Sequence, residues 1–187
     1  STFGVDLLTL NSGKIYGPKQ SGALYIRAGL KLTPLILGGG QEGGLRSGTE
    51  NLAAAVGLAK ALEIAHQKRP SETGRVKKLR QLFINELELQ VSSAVINGSE
   101  KQAAPHIVSV TFTSADNERL MMELDERGVQ AATGSACSAS SNEPSHVLAA
   151  IGLSEVAARS TLRFSFGCDT SETDVRKTIE LIRELTP

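Results

Sequence analysis

The sequence predicts an α/β fold, in which helices alternate with strands along the chain. Apolar and polar residues alternate over Ile107–Phe112 and Leu162–Phe166, which is typical of strands with one buried face. Apolar residues fall at helical spacing elsewhere, for example at Val76, Leu79 and Phe83. No internal repeat or low-complexity tract interrupts this alternation, which favours an ordinary globular chain.

The first 70 residues are predicted to form two strands, a glycine-rich loop and a helix. Val5–Leu10 is an apolar run without a preceding turn or cap, so we expect a buried strand there. A second strand is expected at Gly22–Ile26, and the apolar run Leu35–Leu37 leads into three glycines. Asn51–His66 is apolar on nearly every side, which predicts a helix packed on more than one face.

A second unit is predicted to begin after a break at 69–71, so we place domains at 1–70 and 71–187. Its first helix carries the apolar spacing of Val76, Leu79, Phe83 and Leu87. The remaining strands are expected at Val91–Ile96, Ile107–Phe112 and Leu162–Phe166, and the remaining helices at 116–128, Pro144–Ile151 and from 171 onward. Asp116, Gly128 and the Ser171/Asp174 capping box mark the ends of these helices.

Composition limits the classes of function. The 187 residues include 20 Lys and Arg and 20 Asp and Glu, so no basic excess favours a nucleic-acid partner. No apolar run approaches the ~20 residues of a membrane span, and no signal-peptide pattern opens the sequence. The two cysteines, Cys137 and Cys168, suit neither a disulfide framework nor zinc spacing. We therefore expect a cytoplasmic protein with no membrane association and no metal.

Two segments of the first unit are candidates for cofactor chemistry. Lys14 directly follows the first predicted strand, where desolvation would favour the neutral amine that forms a Schiff base. An ordinary turn lysine such as Lys19 is the alternative. The glycine-rich segment 38–49 could hold a phosphate through its backbone amides and the hydroxyls of Ser47 and Thr49. A flexible loop at a domain or subunit contact is the alternative there.

The second unit offers a nucleophile and a cation. Cys137 lies in a run of small residues that cannot bury a thiol, so we expect it to be exposed, mobile and partly ionised. Strand alternation turns Arg163 away from the face of Leu162 and Phe164, and a guanidinium in a cleft suits a carboxylate. A chance surface cysteine and a surface strand arginine are the respective alternatives.

Taken together, these segments resemble the cysteine desulfurases, pyridoxal-phosphate enzymes of the class V aminotransferase group. The resemblance runs collinearly from about Asp6 to Leu185. Four motifs carry it: Lys14-Ile15-Tyr16-Gly17-Pro18-Lys19, Arg46-Ser47-Gly48-Thr49, Gly134-Ser135-Ala136-Cys137 with Glu143-Pro144-Ser145, and Arg163-Phe164-Ser165-Phe166-Gly167. The long small-residue loop around Cys137 resembles that of group I members.

The resemblance implies a fold and a set of roles. The chain would be the C-terminal part of an aspartate aminotransferase-like, fold type I transferase: the end of the large-domain sheet over 1–70 and a complete small α+β domain over 71–187. Lys14 would bind pyridoxal 5'-phosphate, and Thr49 would touch the cofactor phosphate of the other subunit of a homodimer. Arg163 would hold the carboxylate of L-cysteine. Cys137 would take its sulfur as a persulfide for an acceptor such as an iron-sulfur scaffold or a tRNA-thiolation partner.

The sequence departs from the family pattern in two ways. The positions of Asn11 and Gly13 usually hold serine and histidine, which help to bind the phosphate and orient the cofactor lysine. Asn11 can still donate a hydrogen bond, so it is retained as a cofactor-binding candidate, whereas Gly13 cannot. Family members also have a much longer chain, with the residues that contact the cofactor ring upstream of the lysine. We therefore expect this chain by itself to be inactive.

Two other interpretations remain open. The chain could be a non-enzymatic remnant or a sulfur carrier that keeps Cys137 without the cofactor half. It could also belong to an enzyme of the same family that acts on selenocysteine or cysteine sulfinate.

Overall fold

The computed structural model describes residues 3–99, 101–113, 115–134 and 145–186. It has two compact units, residues 1–69 and 70–187. The strands are β1 (Leu7–Asn11), β2 (Gly22–Ile26), β3 (Ala94–Ile96), β4 (Ile107–Phe112), β5 (Ala132–Thr133) and β6 (Thr161–Ser165). The helices are α1 (Leu52–Gln90), α2 (Asn117–Glu126), α3 (His146–Ala150), α4 (Glu155–Ala158) and α5 (Glu172–Leu185). The mixture of helices and strands confirms the predicted α/β class.

The first unit contains an antiparallel pair of strands. β1 pairs with β2, with Leu7 opposite Ile26 and Asn11 opposite Gly22. β2 has the predicted bounds, but the expectation that the first strand is buried is wrong for this chain. Leu7, Leu8 and Leu10 are each about 40% exposed, because β2 is the only strand that pairs with β1 among the described residues. The apolar run 35–37 is also exposed and forms no strand.

Helix α1 runs without interruption through the predicted break at 69–71 and contains Pro70. Asn51 caps its start by accepting a hydrogen bond from the amide of Ala54 at 3.1 Å. An internal proline costs about 3 kcal/mol in a helix, but tertiary packing can offset such a cost. The expected interruption of the helix is therefore wrong, although the two compact units still divide between residues 69 and 70. The apolar stripe that follows is firmly packed, with Phe83 and Leu87 almost fully buried.

The N-terminal half of α1 is less packed than its composition suggested. Leu52 and Val56 are about 70% exposed, so packing on more than one face is not found in the described chain. The less exposed residues lie on one side of the helix, at 54, 57, 58, 61 and 65. Their spacing of three or four residues defines a single helical face.

The second unit is built on a four-stranded antiparallel sheet with the order β3-β4-β6-β5. β4 has the predicted bounds, whereas the strand expected over 91–96 is shortened to β3. The amide of Val91 donates to the carbonyl of Leu87 at 2.9 Å, so Val91 closes the last turn of α1 and does not start the strand. The sequence did not predict β5 or α4, which are too short for a periodic pattern to reveal.

One face of this sheet carries the core. The Phe83 ring lies 4.9 Å from the Phe164 ring and 5.6 Å from the Phe166 ring, between centroids. Helices α2 and α5 contribute Leu124 and Ile179, both 0% exposed. The predicted capping box at the start of α5 is present, and the hydrogen bonds from Ser171 lower the pKa of Asp174. Helix α2 is capped by Asp116, as predicted.

Arg75 joins α1 to the loop that follows β6. Its guanidinium donates to the carbonyl oxygens of Gly167 and Thr170 at 2.7 Å and of Cys168 at 3.0 Å. Glu72, one turn earlier on α1, pairs with the same guanidinium at 3.0 Å. One side chain therefore satisfies three backbone acceptors of a loop more than 90 residues away in sequence.

We expect Arg75→Ala to lower the free energy of unfolding by about 1.5 to 3 kcal/mol, because hydrogen bonds from a charged donor are lost together. Chemical denaturation followed by circular dichroism measures this change. Arg119→Ala is the matched control, since Arg119 is exposed and pairs only with Glu123 on its own helix among the described residues. Equal effects of the two substitutions would contradict the structural role of Arg75.

Candidate functional site

Lys14 lies on a short 3-10 helix, Ser12–Ile15, within the connection between β1 and β2. The strand ends at Asn11, so the lysine follows it after two residues. The sequence predicts a desolvated lysine here, but Lys14 is exposed in the described chain. The amine is therefore accessible, and its position depends on the backbone of the connection.

Asn11 caps this short helix. Its side-chain Oδ1 accepts a hydrogen bond from the amide of Gly13 at 2.9 Å. The carbonyl oxygen of the side chain is thus used locally, while the Nδ2 group keeps its donor capacity. The structure accordingly brings Asn11 and Lys14 together in one connection.

The connection is closed by backbone hydrogen bonds and holds two strained residues. The carbonyl of Ser12 accepts from the amide of Gly17 at 3.0 Å, and its amide donates to the carbonyl of Ser21 at 3.0 Å. Tyr16 and Gln20 have φ of 60° and 61°, a left-handed conformation that is uncommon for residues other than glycine. Such strain costs on the order of 1 to 3 kcal/mol and persists where neighbouring structure enforces it, often at functional sites.

Ser12 is the most enclosed residue of the connection. It is 0% exposed, and among the described residues its hydroxyl has no hydrogen-bond partner. A Cβ on Gly17 would lie 2.2 Å from this hydroxyl oxygen, so only glycine fits there. Sequence patterns do not predict this enclosure, because the contact depends on how the connection folds back.

The glycine-rich segment 38–49 contains one short 3-10 turn, Glu42–Gly44, and precedes the cap of α1. Ser47 is 5% exposed, whereas Thr49 is exposed, so Thr49 is the more accessible of the two predicted phosphate-binding hydroxyls. The amide of Gly48, at φ 116°, donates to the Gln41 side chain at 3.2 Å. Arg46 donates to the carbonyl of Ser47 at 2.9 Å. The loop is therefore tied by its own side chains.

Arg163 lies on β6 in the second unit. Leu162 and Phe164 on either side are 0% and 4% exposed, and Arg163 is exposed on the opposite face, as the alternation predicts. Across the sheet it lies opposite Ser109 on β4 and Ala132 on β5. Both neighbours are small, which leaves space for the guanidinium and a bound group. Among the residues that the structure describes, Arg163 forms no ion pair, so its charge is available to an anion.

Cys137 lies outside the described residues, as does the surrounding stretch 135–144. The residues that flank this stretch lie close together in the second unit. A Cβ on Gly134 would be 3.2 Å from the Cβ of Ser145 and 2.8 Å from the Leu148 side chain. Gly134 directly follows β5, the strand that pairs with β6 at Arg163.

Membrane-spanning helices and metal-binding clusters are both absent from the described residues. Over the described ranges, no helix is both long enough and apolar enough to cross a membrane. The same residues contain no group of three His, Cys, Asp or Glu side chains that could hold a metal ion.

Comparisons with known proteins match nearly the whole chain. Residues 1–178 match the family model described as aminotransferase class-V. Cysteine desulfurase IscS of Dictyoglomus turgidum is 42% identical over 182 residues, which are 97% of this chain and 46% of that protein. The chain therefore spans about half the length of the curated relatives it matches.

Solved structures give the same result for the fold. A NifS-like protein is 32% identical with a TM-score of 0.87, over 97% of this chain and 46% of that chain. SspA in complex with cysteine is 38% identical with a TM-score of 0.60, over 87% of this chain and 44% of that chain. The expected likeness to part of a fold type I transferase is thus confirmed, and with the family match over residues 1–178 the chain belongs to the class V aminotransferases.

Proposed function

We propose that the complete protein containing this chain is a cysteine desulfurase, which converts L-cysteine to L-alanine and delivers the sulfur to an acceptor. The observation that carries this proposal is the 42% identity, over 97% of the chain, to a protein named cysteine desulfurase. The structure of SspA in complex with cysteine, 38% identical, supports the same substrate. Residues 1–70 would complete the large domain and 71–187 would form the small domain of a cytoplasmic homodimer.

The residues of the β1–β2 connection fit pyridoxal 5'-phosphate, which carries an aldehyde and a phosphate. The exposed Lys14 amine can bind the aldehyde covalently. Asn11 uses its side-chain oxygen on Gly13, which leaves Nδ2 to donate to a phosphate oxygen. The exposed Thr49 hydroxyl can donate to the phosphate bound by the other subunit. Gly13 has no side chain that could contact the cofactor. This chain therefore has fewer cofactor-binding side chains than family members with histidine at that position.

The cofactor, when bound, supplies an electron sink for the substrate's α-carbon. Arg163 holds the substrate carboxylate by a charge-assisted bidentate contact, for which the small Ser109 and Ala132 leave space. The Cys137 thiolate attacks the substrate sulfur, so that a sulfur–sulfur bond forms while the substrate's carbon–sulfur bond breaks. The electron pair of the broken bond stays on the substrate's β-carbon, which takes up a proton and becomes the methyl group of L-alanine. The resulting persulfide on Cys137 passes its outer sulfur to an iron-sulfur scaffold or a tRNA-thiolation protein.

We expect Lys14 to carry the cofactor in the complete protein, because it is the accessible amine beside the Asn11 cap. Borohydride reduction followed by mass spectrometry should place the pyridoxyl group on Lys14. Lys19→Ala is the matched control, since Lys19 is exposed in the same connection and should leave labelling unchanged. Labelling of Lys19, or of neither residue, would refute the assignment.

We expect Cys137→Ser to abolish sulfur transfer while the cofactor remains bound, because a hydroxyl cannot form a persulfide. Sulfide release with a reductant and visible absorbance of the cofactor measure the two properties separately. Cys168→Ser is the control, because Cys168 lies in the loop held by Arg75 and is expected to leave transfer intact. Continued turnover of the Cys137 variant would contradict its role as acceptor.

We expect Arg163→Ala to lower kcat/KM by roughly one to two decades, equivalent to about 1.5 to 3 kcal/mol for a charge-assisted contact. Steady-state kinetics with L-cysteine measure this loss. Arg176→Ala, which removes an exposed arginine from α5, is the control and should leave kcat/KM near the wild-type value. An unchanged kcat/KM for Arg163→Ala would mean that this arginine does not bind the substrate.

A further inference from the structure

Gly57 and Ala61 form a contact surface on the less exposed face of α1, one helical turn apart. A Cβ on Gly57 would lie 2.4 Å from Pro18 Cγ and 3.0 Å from its Cδ. A Cβ on Gly17 would lie 2.8 Å from the Cβ of Ala61. Residues 17 and 18 therefore approach α1 so closely that side chains larger than those present cannot fit at either contact.

Helix propensity does not explain a glycine at position 57. Glycine inside a helix costs about 1 kcal/mol relative to alanine, and the surrounding turns of α1 use alanine at 53–55, 59, 61 and 65. Gly74, further along the same helix, has open space around the position of its Cβ. The close approach of Pro18 thus distinguishes Gly57 from the other glycine of α1.

The contact is connected to Lys14 through a short, hydrogen-bonded segment. The amides of Tyr16 and Gly17 both donate to the carbonyl of Ser12, the first residue of the short helix that carries the lysine. Tyr16 is held at φ 60°, so the backbone between Lys14 and Pro18 has little freedom to absorb a displacement. Movement of Pro18 would therefore be transmitted to the backbone of Lys14.

We propose that Gly57 is a positioning residue for Lys14, because it lets Pro18 rest on α1 and so fixes the short helix that presents the amine. This inference rests on the proposed function of Lys14 as the cofactor-binding residue. An alanine at 57 would need Pro18 or the helix to move by about 1 Å, since ordinary van der Waals contact begins at 3.4 Å. Misplacement of that size can cost up to roughly a hundredfold at a reacting group.

The test uses the complete protein and three variants: Gly57→Ala, the control Gly74→Ala, and the double variant Gly57→Ala with Pro18→Ala. Titration of the apoprotein with pyridoxal 5'-phosphate, followed by visible absorbance, gives the Kd of the cofactor. Borohydride trapping and mass spectrometry give the fraction labelled at Lys14. Circular dichroism gives the Tm, so that each titration is made well below unfolding.

We expect Gly57→Ala to raise the Kd about tenfold or more and to reduce labelling of Lys14, in line with the loss expected from misplacement. Gly74→Ala should change the Kd by less than about twofold, because nothing lies near its Cβ. In the double variant the proline Cγ and Cδ are gone, while the Cβ of residue 18 lies 3.8 Å from the new Cβ at 57, an ordinary contact. Residue 18 then still rests on α1, so cofactor binding should recover toward the wild-type value. This recovery distinguishes positioning from a general loss of helix stability.

Three results would overturn the inference. The first is that the Gly57→Ala variant shows the same Kd and the same labelling of Lys14 as the wild-type protein. In that case the proposed function of Lys14 would remain intact. The second is a defect, including failure to fold, that the Pro18→Ala substitution does not relieve. The third is a wild-type protein that binds the cofactor without labelling of Lys14, which would also overturn the proposed role of this lysine.

Discussion

Burial of the Phe83 ring against Phe164 determines which face of β6 points into the core. Side chains on a strand alternate between faces, so burial of Phe164 places Arg163 on the opposite, exposed face. A slip of one residue in the β4–β6 register would exchange the faces and bury an unpaired guanidinium. The apolar core of the second unit therefore fixes the orientation of its candidate substrate-binding residue.

The features predicted most accurately are those with a strong local pattern. β2 and β4 begin and end at the expected residues, and the capping box of α5 is found at Ser171. Alternation and capping depend on neighbouring residues, which is why the sequence alone reveals them. Elements of two to four residues, such as β5 and α4, are too short to carry a periodic signal.

Tertiary packing explains the predictions that failed. A break was expected at 69–71, but α1 continues through it into the buried stripe that follows. β1 was expected to be buried from its composition, yet composition does not say whether the covering partner is part of the described chain. In the candidate site, the motifs were sufficient to predict which residues are candidates. The burial of the Ser12 hydroxyl and the approach of Pro18 to α1 were not predictable. Both depend on how separate segments of the chain come together, which no periodic pattern in the sequence reveals.

The pairing of β1 with β2 alone has a consequence for how the chain behaves in solution. Within the described residues, each of these strands has one edge whose backbone groups pair with no other strand. Isolated two-stranded hairpins are marginally stable in water, and apolar strand edges recruit further strands. With Leu7, Leu8 and Leu10 exposed along β1, such an edge is a template for self-association. The isolated chain therefore presents, at this hairpin, an apolar strand edge to which a strand of another molecule can add.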